Sequence, residues 1–299
     1  MRVTNALIQK FVSTSSSGIK EVLFDAAKKI SSGRVIDTPS EDPIRAAKIV
    51  RMDRLIKKMD TIDKSYQRVR SDLAAAEQGL SHASSSLTEI KSMAIAMATD
   101  TVSDTDRDAT AQTIQGFLDQ LVNTANRQQE DGRHLFSGIA EGQAPYTLVG
   151  AFPNTTITYT GSTAGREVEV APGVKVDATV TGAQSFGANG EVFQTVADLI
   201  TALDANNDAG IEASLNALDD QMETVVVNLA SVGTRIRALD ETNTITEDLK
   251  IQYMLAKADV EEVDVTAEIT RYTTAETSLQ AVVEVSRRLM SNSLASFLR

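Results

Sequence analysis

The sequence has two imidazole side chains, the groups best suited to metal binding or general-base catalysis near neutral pH. His82 falls in the polar part of a long helical pattern, and His134 lies in the segment GRHLFSG. Neither is followed three or four residues later by a second ligand, as a helical metal site requires. No G-x-S-x-G turn, Walker loop or GxGxxG motif occurs. We therefore predict no catalytic residue, no metal and no cofactor, and a protein that is not an enzyme.

The segment DANNDAG, residues 204–210, has alternating Asp and Asn side chains like the start of a calcium-binding loop. Such a loop needs glycine at its sixth position and glutamate at its twelfth. This chain has Ala209 and Leu215 there. The segment is therefore predicted to form a turn with a helix cap.

The charge and composition argue against several classes of partner. The chain of 299 residues carries a formal net charge of −12. Clustered Lys and Arg supply most of the affinity for phosphate, so nucleic acid and membrane surfaces are not expected partners. The absence of cysteine excludes disulfides and Cys-ligated metal. The N-terminal stretch MRVTNALIQKFVSTSSSG lacks the apolar core of a secretory signal peptide, so we expect any export to use another route.

Two long apolar stripes dominate the pattern, with steps that alternate between four and three residues. This 3.5-residue period predicts long helices, and two seams of the same period are predicted to pack against each other as an antiparallel rod of coiled-coil type. A third helix is predicted to begin after Ser103, with Asp106 three residues further on. The first stripe runs through Ile62, Tyr66, Val69, Leu73, Ala76, Leu80, Ala83, Leu87, Ile90, Ala94 and Met97, and the second through Ile211, Leu215, Leu218, Met222, Val225, Leu229, Val232, Ile236 and Leu239.

The composition changes between Gly142 and Gly190, which contains eight of the sixteen glycines. The alternating runs TTITYT, REVEV and VKVDATV predict short strands there. A short helix around Leu199 is predicted to lead back to the second stripe. The fold class is therefore mainly α, a long antiparallel helical rod built from both chain ends with a small β-rich inserted domain.

Both chain ends are amphipathic with a wide apolar face, and neither has enough neighbouring chain to bury that face in a monomer. We predict that the two ends pair with each other and then with other subunits. The alternative is that each folds back onto the central helices. The predicted assembly residues are Val3, Leu7 and Phe11 at one end and Leu279, Val283, Met290, Leu294 and Phe297 at the other.

A short segment between two predicted helices separates the N-terminal helix from the first long stripe. Gly33 supplies the backbone freedom that ends a helix, Ser40 is predicted to be the next N-cap, and Pro43 fits the first helical turn. An ordinary helix-loop-helix turn would have the same signals.

Three segments in this order resemble motifs of the flagellin superfamily, in particular its hook-associated branch. They are SSGRVIDTPSEDPIRAA at 31–47, GRHLFSG at 132–138 and ADVEEVDVTAEITRYTTAETSLQAV at 258–282. The resemblance implies an extracellular structural protein of the bacterial flagellum, exported unfolded by the flagellar type III system. It further implies a ring between hook and filament that is the adaptor on which flagellin polymerises.

The resemblance also implies partners and a domain division. The partners would be further copies of this chain in the ring, another hook-associated protein on the hook side, flagellin on the filament side and a cytoplasmic export chaperone at the C-terminal segment. Gly33, Ser40 and Pro43 would form a spoke between domains. The implied domains are a terminal axial domain of residues 1–42 and 265–299, a rod of 43–141 and 208–264, and a β-rich outer domain of 142–207.

Two other interpretations stay open at this point. The chain could be a flagellin that forms the filament itself, although GRHLFSG and SEDPIRAA are more similar to the hook-associated branch. It could also be a coiled-coil adaptor unrelated to flagella, which would have a folded C-terminus in isolation.

Overall fold

The computed structural model describes residues 2–99, 102–129, 131–140, 142–149 and 156–297. Within these ranges, the side chains of residues 2–6, 8 and 289–297 are outside the described set. The predicted class, mainly helical with a β-rich insertion, is confirmed. The elements in chain order are α1 Arg2–Ser32, α2 Pro43–Met97, α3 Asp104–Ala125, β1 Tyr146–Val149, β2 Thr156–Tyr159, β3 Glu167–Ala171, β4 Val174–Asp177, α4 Gly182–Phe186, α5 Glu191–Asp204, α6 Asp208–Glu261 and α7 Val265–Phe297.

The chain divides into two compact units. The terminal unit comprises Met1–Lys58 and Leu249–Arg299, and the central unit comprises Met59–Asp248. Each unit therefore combines parts of α2 and α6 with other elements. The three-domain division expected from the resemblance stays a prediction.

Within the central unit, α2 and α6 run antiparallel. The Tyr66 hydroxyl donates to Asp240 at 2.8 Å, whereas Lys91, further along α2, pairs with Asp219, earlier on α6. Both predicted stripes line the core: Leu73, Leu80 and Leu87 of α2 and Leu218, Val225 and Leu239 of α6 are fully buried. Burying one such side chain stabilises a fold by about 1.5–3 kcal/mol, so the stripes supply much of the driving force for this unit.

Local caps determine where α3 and α6 begin. The Ser103 hydroxyl accepts from the backbone N–H of Asp106 at 3.2 Å, as predicted for the N-terminus of α3. At the start of α6, the side-chain oxygen of Asn207 accepts from the N–H of Gly210 at 3.1 Å. DANNDAG is thus a turn with a helix cap, which confirms the interpretation of that segment.

The insertion forms two separate two-stranded antiparallel sheets, with Tyr146 opposite Tyr159 in one and Glu167 opposite Asp177 in the other. The runs TTITYT, REVEV and VKVDATV contribute β2, β3 and β4, and the predicted helix around Leu199 is α5. The sequence patterns did not predict α4.

An aromatic cluster joins the elements of the insertion. The ring centroids of Phe136 and Phe186 are 5.2 Å apart in an edge-to-face arrangement, and those of Tyr146 and Phe193 are 4.8 Å apart. All four rings are almost entirely buried. They come from a loop, a strand and two helices, so their meeting gives this small region a core that two hairpins alone would lack.

Within the described helices, no stretch is both long and apolar enough to cross a lipid bilayer.

Candidate assembly surface

The two terminal helices pack against each other in the terminal unit, as predicted. Ala26 of α1 is fully buried and Ala275 of α7 nearly so, and their small side chains allow the helices to approach closely. Arg271 of α7 pairs with Asp25 of α1 at 3.1 Å and with Glu268 at 3.5 Å. The helix pair is thus held by small side chains and exposed ion pairs, and ion pairs of that kind contribute little stability.

Few of the apolar side chains that the structure describes in the terminal unit are buried. Among its described side chains, the buried apolar ones are Ala26, Ala46, Val260 and Ala275. Every other apolar side chain that the structure describes as buried belongs to the central unit. By contrast, the terminal unit exposes large apolar side chains on α1, α7 and its parts of α2 and α6: Leu7, Phe11, Phe24, Ile44, Val50, Ile251, Met254, Leu255, Val265, Ile269, Val283 and Val285. Exposed apolar surface of this extent is typical of a region that packs against another protein.

The structure describes the side chains of only some of the predicted assembly residues. Leu7 and Phe11 of α1 and Val283 of α7 are exposed, and Leu279 is half-buried. The side chains of Val3, Met290, Leu294 and Phe297 lie outside the described residues, and their roles stay predictions.

Phe24 was missed by the sequence reasoning, although it is the most exposed aromatic side chain among those described, at 75%. Phe24 directly follows Leu23, which belongs to the apolar pattern of α1. Phe24 is not itself part of that pattern, so the pattern alone places its side chain in solvent. A bulky aromatic residue next to the stripe was the available signal.

A groove of about 850 Å³ runs between α1 and α7. The hydroxyls of Thr270, Thr274 and Ser278 donate to carbonyls one turn back in α7, at 2.8–2.9 Å. Their polar groups are therefore satisfied within the helix, and the groove presents mainly carbon atoms. It is lined by Thr14, Ser15, Gly18, Ile19, Val22, Ala267, Thr270, Arg271, Thr274, Ala275, Ser278 and Val282.

A strap, residues 33–42, connects α1 to α2 and is fastened to the α6–α7 connection. The N–H of Val35 donates to the carbonyl of Glu261 at 2.9 Å, and the N–H of Val263 donates to the carbonyl of Gly33 at 3.0 Å. Arg34 also pairs with Glu261 at 3.0 Å. These contacts hold together the two places at which the chain enters and leaves the terminal helices.

The structure corrects the predicted cap of α2. The side chain of Asp42 accepts from the N–H of Arg45 at 2.9 Å, so Asp42 is the N-cap and Pro43 is the first helical residue. Ser40 lies two residues too early, and its hydroxyl instead pairs with that of Thr38 at 3.1 Å. An N-cap must directly precede the first helical residue, which Pro43 fixes.

Charged side chains hold the strap in place. Lys28 of α1 pairs with Asp37 at 3.0 Å and Glu41 at 3.2 Å. The Glu41 carboxylate accepts from the N–H of Asp37 at 3.0 Å and from the Thr38 hydroxyl at 3.1 Å. The backbone hydrogen bond from Asp37, followed by the bond from Lys28, lowers the pKa of Glu41 below its ordinary value.

We expect the strap to loosen in acid. Because the pKa of Glu41 is lowered in the folded state, its contribution is present above the ordinary value of 4.5 and is lost as the pH falls through the lower folded value. The side-chain carboxyl 13C chemical shift of Glu41, followed by NMR, should titrate with a midpoint below 4.5, and that signal should be absent from Glu41→Gln. Glu21→Gln, an exposed change on α1 away from the strap, is the control. A Glu41-dependent midpoint at or above 4.5 would contradict the contact.

Gly33 ends α1 in the left-handed region, with φ +70°, and its N–H donates to the carbonyl of Lys29 at 2.9 Å. A side chain at Gly33 or at Gly18 would meet no atom within 4 Å, but only Gly33 has a positive φ. We therefore expect Gly33→Ala to destabilise the terminal unit by about 1 kcal/mol through backbone strain alone, and Gly33→Val by more. Gly18→Ala, inside α1, should instead stabilise it by about 0.5–1 kcal/mol.

Hydrogen exchange of α1 and α7 in the full-length chain measures both changes. Faster exchange in Gly33→Ala and slower or unchanged exchange in Gly18→Ala is the expected pair of results. Equal effects at the two glycines would mean that backbone conformation at Gly33 is not the cause. We also expect Gly33→Val to impair assembly, which normal assembly of that variant would contradict.

Neither histidine joins an evident site. His82 is exposed on α2, and the ring nitrogens of His134 lie 2.8 Å from the carbonyl oxygen of Asn126 and 3.1 Å from the side-chain nitrogen of Gln128. The described residues contain no cluster of three His, Asp or Glu side chains arranged to bind a metal ion.

Comparison with known protein families matches residues 4–141 to the N-terminal helical region of bacterial flagellin. Two curated relatives are named flagellar hook-associated protein 3. The protein from Escherichia coli K12 is 22% identical over 276 residues, covering 85% of this chain and 86% of the relative. That of Salmonella typhimurium LT2 is 24% identical over 286 residues, with the same coverage of both chains.

Solved structures of flagellar hook-associated proteins have a similar fold. A protein of Vibrio parahaemolyticus assigned to the flagellar hook-associated class superposes with a TM-score of 0.67 at 25% identity, covering 74% of this chain and 100% of the other. Flagellar hook-associated protein-3 of Legionella pneumophila superposes with a TM-score of 0.61 at 16% identity, covering 71% of this chain and 97% of the other. At the latter identity the likeness concerns the fold alone.

Proposed function

We propose that this chain, a homologue of flagellar hook-associated protein 3 with the N-terminal helical region of bacterial flagellins, is the structural subunit of the junction between flagellar hook and filament. The observation that carries the proposal is the terminal unit, which exposes many large apolar side chains, whereas the buried apolar side chains that the structure describes there are three alanines and one valine. Such a surface is costly for a free monomer and becomes favourable when copies bury it against one another.

The finer arrangement is part of the same proposal. Copies form a ring whose axial part is built from residues 1–42 and 265–299. Residues 43–141 and 208–264 form a rod, and residues 142–207 lie furthest out. The ring meets another hook-associated protein on the hook side and flagellin on the filament side, where it is the adaptor for polymerisation.

Export of the unfolded chain through the flagellar type III system suits a terminal unit with so little core. Helices that gain most of their burial only after assembly lose little by being unfolded during export. A cytoplasmic chaperone that covers the C-terminal segment, including Leu279 and Val283, would protect the same apolar face before export. The role is structural, with no cofactor and no enzymatic step.

Immunogold labelling of intact flagella with an antibody against residues 142–207 tests the proposal. One cluster of gold where each filament meets its hook is the expected result. Gold along the whole filament would make the protein a filament subunit. Absence of gold from flagella would overturn the proposal and favour a coiled-coil adaptor with another partner.

A further inference from the structure

We propose a second interface, in the central unit, through which neighbouring copies contact each other side by side. A cleft edged by Arg68 and Arg127 on one copy receives an acidic stripe of α6, Glu241 to Asp248, on the next. This inference rests on the proposed function, since it concerns how copies in the assembled structure meet.

The cleft lies between α2 and the loop after α3, and it has a volume of about 410 Å³. Asp72, which is buried, pairs with Arg133 at 3.6 Å and with Arg166 at 3.3 Å. Arg133 also binds Asp131 at 2.6 Å. Both carboxylates that line the cleft are therefore neutralised by arginines of their own chain.

Two further arginines line this cleft, and both are exposed. Within the described part of the chain, Arg68 makes no ion pair, and Arg127 donates only to the side-chain oxygen of Gln78, at 3.4 Å. Leu135 and Ala75 add apolar surface to the lining. The cleft thus offers two cations without carboxylate partners beside an apolar floor, in a chain whose net charge is −12.

The acidic stripe has the complementary composition. Glu241, Ile245 and Asp248 follow one another at steps of four and three on α6, so they share one face, and all three are exposed. Ile245 is 63% exposed. Neither Glu241 nor Asp248 has an ion-pair partner among the residues that the structure describes. The stripe therefore presents two free carboxylates on either side of an exposed isoleucine.

The two features are of comparable length and adjoin at one level of the central unit. Glu241 and Asp248 are about 10 Å apart along the helix, and Arg68 and Gln78, the contact of Arg127, are about 15 Å apart along α2. The long arginine side chains span the difference. Arg70 of α2 contacts Asp240 of α6 at 3.0 Å, so the Arg68 end of the cleft lies level with the Glu241 end of the stripe, and the two features extend from there in opposite directions along the central unit.

Cleft and stripe of one copy cannot satisfy each other. Leu239 and Thr246 on the opposite face of α6 are buried, so the stripe points away from the core that α6 shares with α2. Two different patches that fit only between copies make a head-to-tail contact, which closes into a ring when repeated at a constant rotation. Complementary charge also fixes the register of such a contact.

Site-directed cross-linking tests this geometry directly, because the chain has no cysteine of its own. Ser71→Cys is in the cleft, and Ile245→Cys is in the stripe. We consider flagella purified from cells in which the only gene for this protein carries both changes. In these flagella, oxidation should produce a ladder of cross-linked dimers, trimers and larger species. Flagella that contain one single variant alone should give no cross-linked species. Flagella that contain both single variants should give dimers only, because each subunit then has one cysteine.

The matched control replaces Ser71→Cys by Ser85→Cys, another exposed serine of α2 about four turns away. This pair should form no ladder. Cross-linking of a single variant with itself, or equal ladders from the control pair, would overturn the head-to-tail arrangement.

Charge exchange provides a second, independent measurement. Arg68→Glu with Arg127→Glu should lower the amount of protein retained in purified flagella by about tenfold or more, because it faces like charges across the contact. Adding Glu241→Arg and Asp248→Arg should restore it. Circular dichroism of each monomer should be unchanged, since all four side chains are exposed.

The outcomes separate this inference from the proposed function. If wild-type protein is absent from flagella, the proposed function fails. If wild-type protein is present but the Ser71→Cys and Ile245→Cys pair gives no ladder and the charge exchange restores nothing, the lateral interface alone is refuted.

Discussion

Gly138→Ala is expected to unfold the β-rich insertion under conditions in which the wild-type protein is folded. Gly138 has φ +64°, and a Cβ there would lie 2.3 Å from the carbonyl oxygen of Ser162 and 2.8 Å from that of Ala164. The colliding atoms are backbone, and Ser162 is held by its N–H bond to the carbonyl of Ser137 at 2.9 Å. Backbone strain and overpacking together should cost about 3 kcal/mol or more.

Tyrosine fluorescence during urea denaturation measures this loss, because Tyr146 and Tyr159 lie within the insertion and pack 5.1 Å apart between ring centroids. Gly132→Ala, in the same GRHLFSG segment, is the control. Gly132 has φ +81° but no atom within 4 Å of the added Cβ, so it should lose only the strain component, about 1 kcal/mol. Equal losses at the two positions would show that the close approach of the Ser162 carbonyl is unimportant.

The second large effect concerns assembly. Phe11→Asp combined with Val283→Asp should nearly abolish incorporation of the protein into flagella while leaving the monomer folded. These side chains are 73% and 58% exposed, so the monomer loses little packing. An interface that buries both would lose about 1.5–3 kcal/mol for each, which together is on the order of a hundredfold or more in the association constant. Burying two carboxylates adds a desolvation cost to this loss.

Immunoblots of purified flagella, with circular dichroism of the monomer as the folding check, measure this effect. Val174→Asp is the matched control, since Val174 is 45% exposed on β4 and belongs to the insertion instead of the terminal helices. Undiminished incorporation of the Phe11 and Val283 variant would exclude the terminal surface from the assembly contact. An equal loss with Val174→Asp would point to a general effect of added charge.

The two predictions concern regions that differ in how much apolar side-chain surface they bury. In the insertion, Phe136, Tyr146, Phe186 and Phe193 are buried together, so a backbone clash nearby has no easy relaxation. In the terminal unit the apolar side chains described as buried are three alanines and one valine, so their burial contributes less. A polar substitution on its surface therefore acts through the missing partner and not through the fold of the monomer.

Sequence periodicity was sufficient to predict the long helices. The apolar stripes of α2 and α6, the cap at Ser103 and the turn at Asn207 depend on residues within a few positions of each other, so the local pattern contains the information. The β-rich composition of the insertion was also evident, because alternating side chains and glycines act within single strands and turns.

The exact position of a helix cap or of an exposed side chain was harder to predict, because a shift of one residue changes it. Ser40 and Asp42 are both good capping residues, and only the start of α2 at Pro43 selects Asp42. The same holds for Phe24, whose exposure depends on which face of α1 meets α7. A pattern indicates that a helix has an apolar face but not where that face ends.

The sequence by itself thus determined the fold class, the long helices, the β-rich insertion and the absence of a recognisable catalytic motif. The tertiary structure alone decided the aromatic cluster, the fastening of the strap to Glu261 and Val263, and the cleft and stripe of the central unit. The physical reason is sequence separation. Helical periodicity is a property of neighbouring residues, whereas these contacts join residues tens to hundreds of positions apart and exist only once the chain is folded.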